Sequence, residues 1–166
     1  PLTSVRIRYG SPFSFLTQSA KHNIIQLFSG SSGTGKSTHT NLWHTLWGTP
    51  VLNGDLNLLA IKDGKPMIYG TPWCGTSGIS DSTSYPLGGV VLLKQASGER
   101  FEVLSPDEQI IGLLQRIISS SDTCFSLCKN LEVIGEITKQ IPVFRLHCTK
   151  EPQAAIYMKE QIDALR

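Results

Sequence analysis

The sequence predicts an α/β chain leaning towards α+β, a mixed sheet flanked by helices. Three observations carry this reading. The apolar run "NIIQLF" at 23–28 passes through a glycine-rich loop into an amphipathic helix. Hairpin-spaced strands follow, where a βαβ alternation would put another helix. Two helices, a strand and a last helix then close the chain. Its 166 residues fit one domain, 1–166, long enough to bury a core.

The elements follow in order. "SVRIRYG" and "SPFSFL" alternate and are punctuated by Gly10 and Pro12, which predicts two short strands. "NIIQLF" reads as a buried strand. "KSTHTNLWHTLWG" reads as a helix with Leu42, Trp43, Leu46 and Trp47 on one stripe and Gly48 as its stop. "VLNGDLNLLAIKDGKPMIYG" gives a strand, a tight turn at Asp63-Gly64 and a returning strand. "TPWCGTSGISDSTSYPLGG" reads as one long loop, of the length that tends to carry function. "VVLLKQ" and "RFEVLS" are strands across an "ASGE" turn. Ser105-Pro106-Asp107-Glu108 opens a helix expected to reach about Ile118, with Ser as cap, Pro first and Glu at the third position. "CFSLCKNLEVIGEITKQ" is a second helix, "IPVFRLHC" a strand and "EPQAAIYMKEQIDAL" the last helix.

Composition narrows the function. Hydrophobic residues make 40% and charged residues 17%, a globular and not a disordered balance. Fifteen basic against thirteen acidic residues give +2 with no run of one sign, which argues against nucleic-acid or membrane-surface partners. No apolar run approaches the ~20 residues of a membrane span, and the start lacks the apolar stretch of a secretory signal. A cytoplasmic setting is expected. The first residue is Pro1, which fits an excised or N-terminally truncated chain. Cys74, Cys124, Cys128 and Cys148 match no zinc spacing and read as reduced thiols.

Residues 30–37, "GSSGTGKS", satisfy G-x-x-x-x-G-K-[ST] in full, between a strand and a helix as the motif requires. Glycines let backbone N–H groups close on phosphate oxygens without a side chain in the way. Gly30, Ser31, Ser32, Gly33, Thr34, Gly35, Lys36, Ser37 and Thr38 are therefore the expected cofactor-binding residues. Lys36 supplies a compact positive charge for the β- and γ-phosphates, Ser37 a magnesium ligand, and the helix N-terminus partial positive charge. The cofactors expected are ATP, or another nucleoside triphosphate, and Mg²⁺. The expected acidic partner is Asp55, just beyond the strand after Lys36, as metal ligand and catalytic residue; the plainer reading is a turn Asp beside Gly54.

"FSGSSGTGKSTHTNLW", "VLNGD", "YGTPWCGTSGI" and "PLGGVVLLKQ" together resemble the small HPr kinase/phosphorylase-like proteins of the phosphoenolpyruvate-carboxykinase-like P-loop group. The resemblance covers most of residues 15–150. It implies a mixed, largely antiparallel sheet and transfer of phosphate to a serine on a small protein or peptide. It also implies an oligomer, although no interface is legible. These enzymes usually pair two acids after the strand; here Gly54 takes the first place and Asp55 stands alone. Help with the acceptor's proton is sought at His39 on the first helical turn and at Asn53, though a His there more often packs. A substrate loop is expected around Gly70, Thr71, Trp73 and Ser77, with Trp73 an apolar wall, the hydroxyls donors, and Gly70, Gly75 and Gly78 hinges. Lys94 and Arg100 are either phosphate clamps or solvated charge.

The function expected is an ATP- and Mg²⁺-dependent phosphotransferase acting on a serine or similar hydroxyl. A nucleotide-binding regulatory subunit with little catalysis is the alternative from another class. A small-metabolite phosphotransferase ranks third.

Overall fold

The computed structural model describes residues 4–7, 13–19, 22–31, 33–53, 56–72, 78–79, 81–118 and 124–164, with backbone alone up to residue 25 and over 117–126. The elements run β1 (Ser4–Ile7), β2 (Phe13–Ser19), β3 (His22–Ser29), α1 (Lys36–Trp47), β4 (Val51–Asn53), β5 (Asn57–Lys62), β6 (Lys65–Gly70) and β7 (Ser84–Gln95). Then follow β8 (Arg100–Val103), α2 (Pro106–Leu114), β9 (Ile117–Ile118), α3 (Cys124–Gln140), β10 (Val143–Cys148) and α4 (Pro152–Ala164).

The sheet is mixed, as expected. β3 pairs β7 in parallel and β7 pairs β10 in parallel, while the other ladders are antiparallel. Its order is β4-β2-β3-β7-β6-β5-β1-β9, with β10 joining β7 to β8. β7 is the strand on which the two halves meet. Its first residues, Ser84–Pro86, face Tyr69–Met67 of β6, and its last six face β10. That division requires a long strand, and it corrects one expectation. The segment 84–89 is not loop but the first half of β7, because Pro86 sits at its start and Gly89 meets the buried Gln26 side chain at a distance no Cβ could share.

Side chains alternate between two cores, the period-two signature of a sheet covered on both faces. Leu27, Val90 and Leu92 pack with Leu113, Val133 and Ile137, under α2 and α3. Phe28, Val91, Leu93 and Leu146 pack with Trp43, Ala155 and Met158, under α1 and α4. Because β3, β7 and β10 run the same way, their carboxyl ends share one edge, where ligands of such sheets bind.

One local reading holds and two shift. Asp63 and Gly64 form the expected turn, both with positive φ (51° and 75°), as a tight hairpin demands. α2 carries the full capping box between Ser105 and Glu108, yet it ends at Leu114. Ile117–Ile118 instead pairs with β1, so edge pairing ends the helix four residues early. On α1 the buried stripe is Lys36, His39, Thr40 and Trp43, while Leu46 and Trp47 are partly exposed. The helix turns its polar N-terminal residues inward because they lie beneath the glycine loop. Among the described residues no helix is long and apolar enough to cross a membrane.

Candidate functional site

The loop between β3 and α1 is built around one carbonyl. Ser31 O accepts from Thr34 N at 3.3 Å, Thr34 Oγ1 at 2.8 Å and Lys36 Nζ at 2.7 Å. Gly33 and Gly35 hold φ of 80° and 98°, conformations that a side chain would strain. At Gly30 a Cβ would stand 2.6 Å from Thr34 Oγ1 and 3.0 Å from Leu93 O, so the loop lies flush on β7.

α1 begins at Lys36 with no side-chain cap from Gly35 and no acid in its first turn. α2, by contrast, has both. The amides that open α1 and their partial positive charge face the loop without internal compensation. Ser37 is exposed and Thr38 half-buried beside them.

The electrostatics point the same way. Lys36 is only 5% exposed, and burial together with the nearby Arg116 guanidinium lowers its pKa from 10.5 to about 8. Burial lowers Arg116 as well. Among the described residues no carboxylate comes within ion-pair distance of Lys36, Lys94 or Arg116. A cavity of about 230 Å³ opens against the loop, lined by Ser31, Thr34, Lys94, Gln115, Arg116 and Arg145. Convergent cations, loop amides and an uncapped helix start form a donor set that suits an oxyanion.

The expected site residues fall in different places. Lys94 lines the cavity, whereas Arg100 turns away to His147 Nε2 (2.8 Å) and Glu102 (3.8 Å). His39, expected beside the phosphates, is fully buried under Gly35: its Nε2 donates to Thr149 O at 3.1 Å and lies 3.1 Å from Cys148 Sγ. Its ring also packs on Phe28. That is the environment of a supporting core histidine, and burial lowers its pKa further from the protonated form. Cys148 is likewise inert, its thiol pushed up to about 11 by burial.

Ser32, Asp55, Trp73, Ser77, Cys74, Gly54 and Gly75 lie outside the described residues. Their neighbours do not. Asn53, fully buried at the end of β4, accepts from Leu56 N at 3.2 Å and donates to Thr71 O at 2.7 Å. Thr71 Oγ1 donates in turn to Leu56 O at 2.7 Å. The residues flanking Gly54-Asp55 are thus tied to Thr71, just after β6. Asn53 and Thr71 act as a clamp, where a chemical helper and a hydroxyl donor were expected. Gly70 ends β6, where a Cβ would stand 1.5 Å from Asp81 O, so only glycine fits.

The sequence puts Arg100, Arg116 and Arg145 in the plausible site region for a small-metabolite enzyme, but the approach of Arg116 to Ser31 is not legible in it. The end of α2 at Leu114 leaves Arg116 just beyond the helix, beside the loop. Gly112 assists, since a Cβ there would meet Leu92 Cδ1 at 2.5 Å.

No family model matches the chain, and no curated protein matches it. Among solved structures it is similar to the HPr(Ser) kinase/phosphatase from Coxiella burnetii, at a TM-score of 0.49 and 10% identity over 95% of this chain and 89% of that one. That is a distant likeness in fold and carries no conclusion about activity.

Proposed function

We propose that the chain is an ATP- and Mg²⁺-dependent phosphotransferase that phosphorylates a serine or similar hydroxyl on a small protein or peptide. One observation carries the reading. Lys36 is a buried ammonium at the first position of α1, held to Ser31 O, within a complete phosphate-loop sequence and without a carboxylate partner among the described residues. A buried cation left uncompensated is unfavourable unless an anion completes it.

In this reading the loop amides of 30–36 bind the β-phosphate. Lys36 uses one of its three donors on Ser31 O and keeps the others for the β- and γ-phosphates. Ser37 and Asp55 would hold Mg²⁺, which would supply positive charge against the phosphate charge that develops during transfer. Asp55 also receives the acceptor's proton, as the lone acid after β4. His39, buried and committed to Thr149 O, takes no part in moving that proton. The clamp of Asn53 and Thr71 fixes the ends of the Asp55 segment, and the 71–79 loop covers the acceptor.

ATP radiolabelled on its terminal phosphate, incubated with the chain and with small proteins encoded beside it, tests the reading. Label is expected on a serine of one of them. Tight nucleotide binding with no labelled product would point instead to a nucleotide-binding regulator.

A further inference from the structure

Arg116 lies just beyond α2, where its N donates to Leu113 O at 2.9 Å. Its Nη1 reaches Ser31 Oγ at 3.4 Å, across from the Lys36 ammonium that binds the carbonyl of the same residue. Its Nε is buried and has no hydrogen-bond partner among the described residues. Of the three other cationic groups nearby, Arg145 is already matched by Glu102 at 3.1 Å. Lys36, Lys94 and Arg116 have no such match among the described residues, and Lys94 and Arg116 line one cavity against the loop.

Two like charges brought together on one serine, with a guanidinium donor unmet, form an arrangement that an oxyanion would complete. A guanidinium presents a planar fork that suits two oxygens of one phosphate. Position selects which phosphate. The ammonium of a phosphate-loop lysine serves the β/γ end, and Arg116 contacts the same residue, Ser31, whose carbonyl holds that ammonium. We propose that Arg116 is the contact residue for the terminal phosphate of the bound nucleotide, with Lys94 facing it across the cavity. This rests on the nucleotide reading and adds to it a means of telling a triphosphate from a diphosphate.

Calorimetric titration of the full chain with Mg²⁺ and either ADP or a non-hydrolysable ATP analogue tests it, on the wild type, Arg116→Gln and Arg116→Lys. Arg116→Gln is expected to weaken the analogue about tenfold or more while changing ADP by less than about twofold, as loss of a charge-assisted pair predicts. Arg116→Lys, which keeps the charge and loses the fork, should recover part of the analogue's affinity. If Arg116→Gln does not fold, as judged by circular dichroism, Arg116→Lys carries the test alone, with an expected loss of about threefold for the analogue only. Equal losses for both nucleotides, or none for either, would overturn the proposal. Failure of the wild type to bind ADP at all would overturn the nucleotide reading itself, and the proposal with it.

Discussion

The ammonium of Lys36 stands 2.7 Å from the carbonyl oxygen of Ser31, so the end of the glycine loop is tied to its beginning. The bond holds a buried cation in place before any ligand arrives, next to a second cation, Arg116. Preorganised donors of this kind bind an anion without first reorganising.

Under the proposed function, that placement makes nucleotide binding depend on pH. With Lys36 lowered to about 8 in the free protein, a bound phosphate favours its charged form. Affinity for ADP is expected to be level below pH 8 and then to fall by up to about tenfold per unit above it. Calorimetry from pH 7 to 9.5 reads the effect, and Lys36→Met should abolish the slope. A slope of the same size in the variant would assign it to another group.

The alkaline stability profile has two opposing parts. Lys36 binds its proton less well folded (about 8) than unfolded (10.5), so the unfolded chain holds more protons between those values and stability rises with pH there. Cys148 is the reverse, raised from 9.0 to about 11, so stability falls across that window. Denaturant melts should show a rise from pH 8 to 9 that flattens above. Cys148→Ser should let the rise continue, and an unchanged profile in that variant would contradict the assignment.

His39 sets the acid side. Its folded pKa lies below its ordinary 6.5, so the unfolded chain takes up the proton first and stability is lost as pH falls through 6.5. The lowered carboxylates Asp81, Glu99, Glu102 and Glu108 act in a lower window, losing their stabilisation below their ordinary values of 3.8 to 4.5. Urea unfolding between about pH 5 and 6.5 therefore isolates the histidine. His39→Gln should flatten that segment and still leave nucleotide binding within about twofold. Loss of phosphate transfer alone, with the slope retained, would return His39 to a chemical role.

Asn53→Ala removes the clamp beneath the Asp55 segment, leaving Leu56 N and Thr71 O without their side-chain partner. Stability is expected to drop by about 2 kcal/mol, the cost of stranding buried polar groups. Chemical denaturation measures this, and a change under about 0.5 kcal/mol, the range of an ordinary surface substitution, would mean that the clamp is dispensable.

What the sequence disclosed follows from how local each feature is. The α1 stop at Gly48 and the Ser105 capping box are written in contiguous residues, and the backbone adopts them as read. The first half of β7 was hidden because Pro86 and Gly88-Gly89 look like loop residues. Only pairing with β6 and β3 makes them strand. The inward side of α1 was misplaced for a similar reason. Trp47 and Leu46 fit a stripe by hydropathy, but packing beneath the loop selects His39 and Thr40. Arg116 and Ser31 are 85 residues apart, and no pattern in the chain announces that they meet.

Calorimetric titration of Mg²⁺-ADP into the wild type and Lys36→Ala tests the proposed phosphate-binding role of the loop most directly. Binding to the wild type, weakened at least about tenfold in a folded Lys36→Ala protein, is the expected result. Equal affinity for the two, or no binding to the wild type, would contradict it.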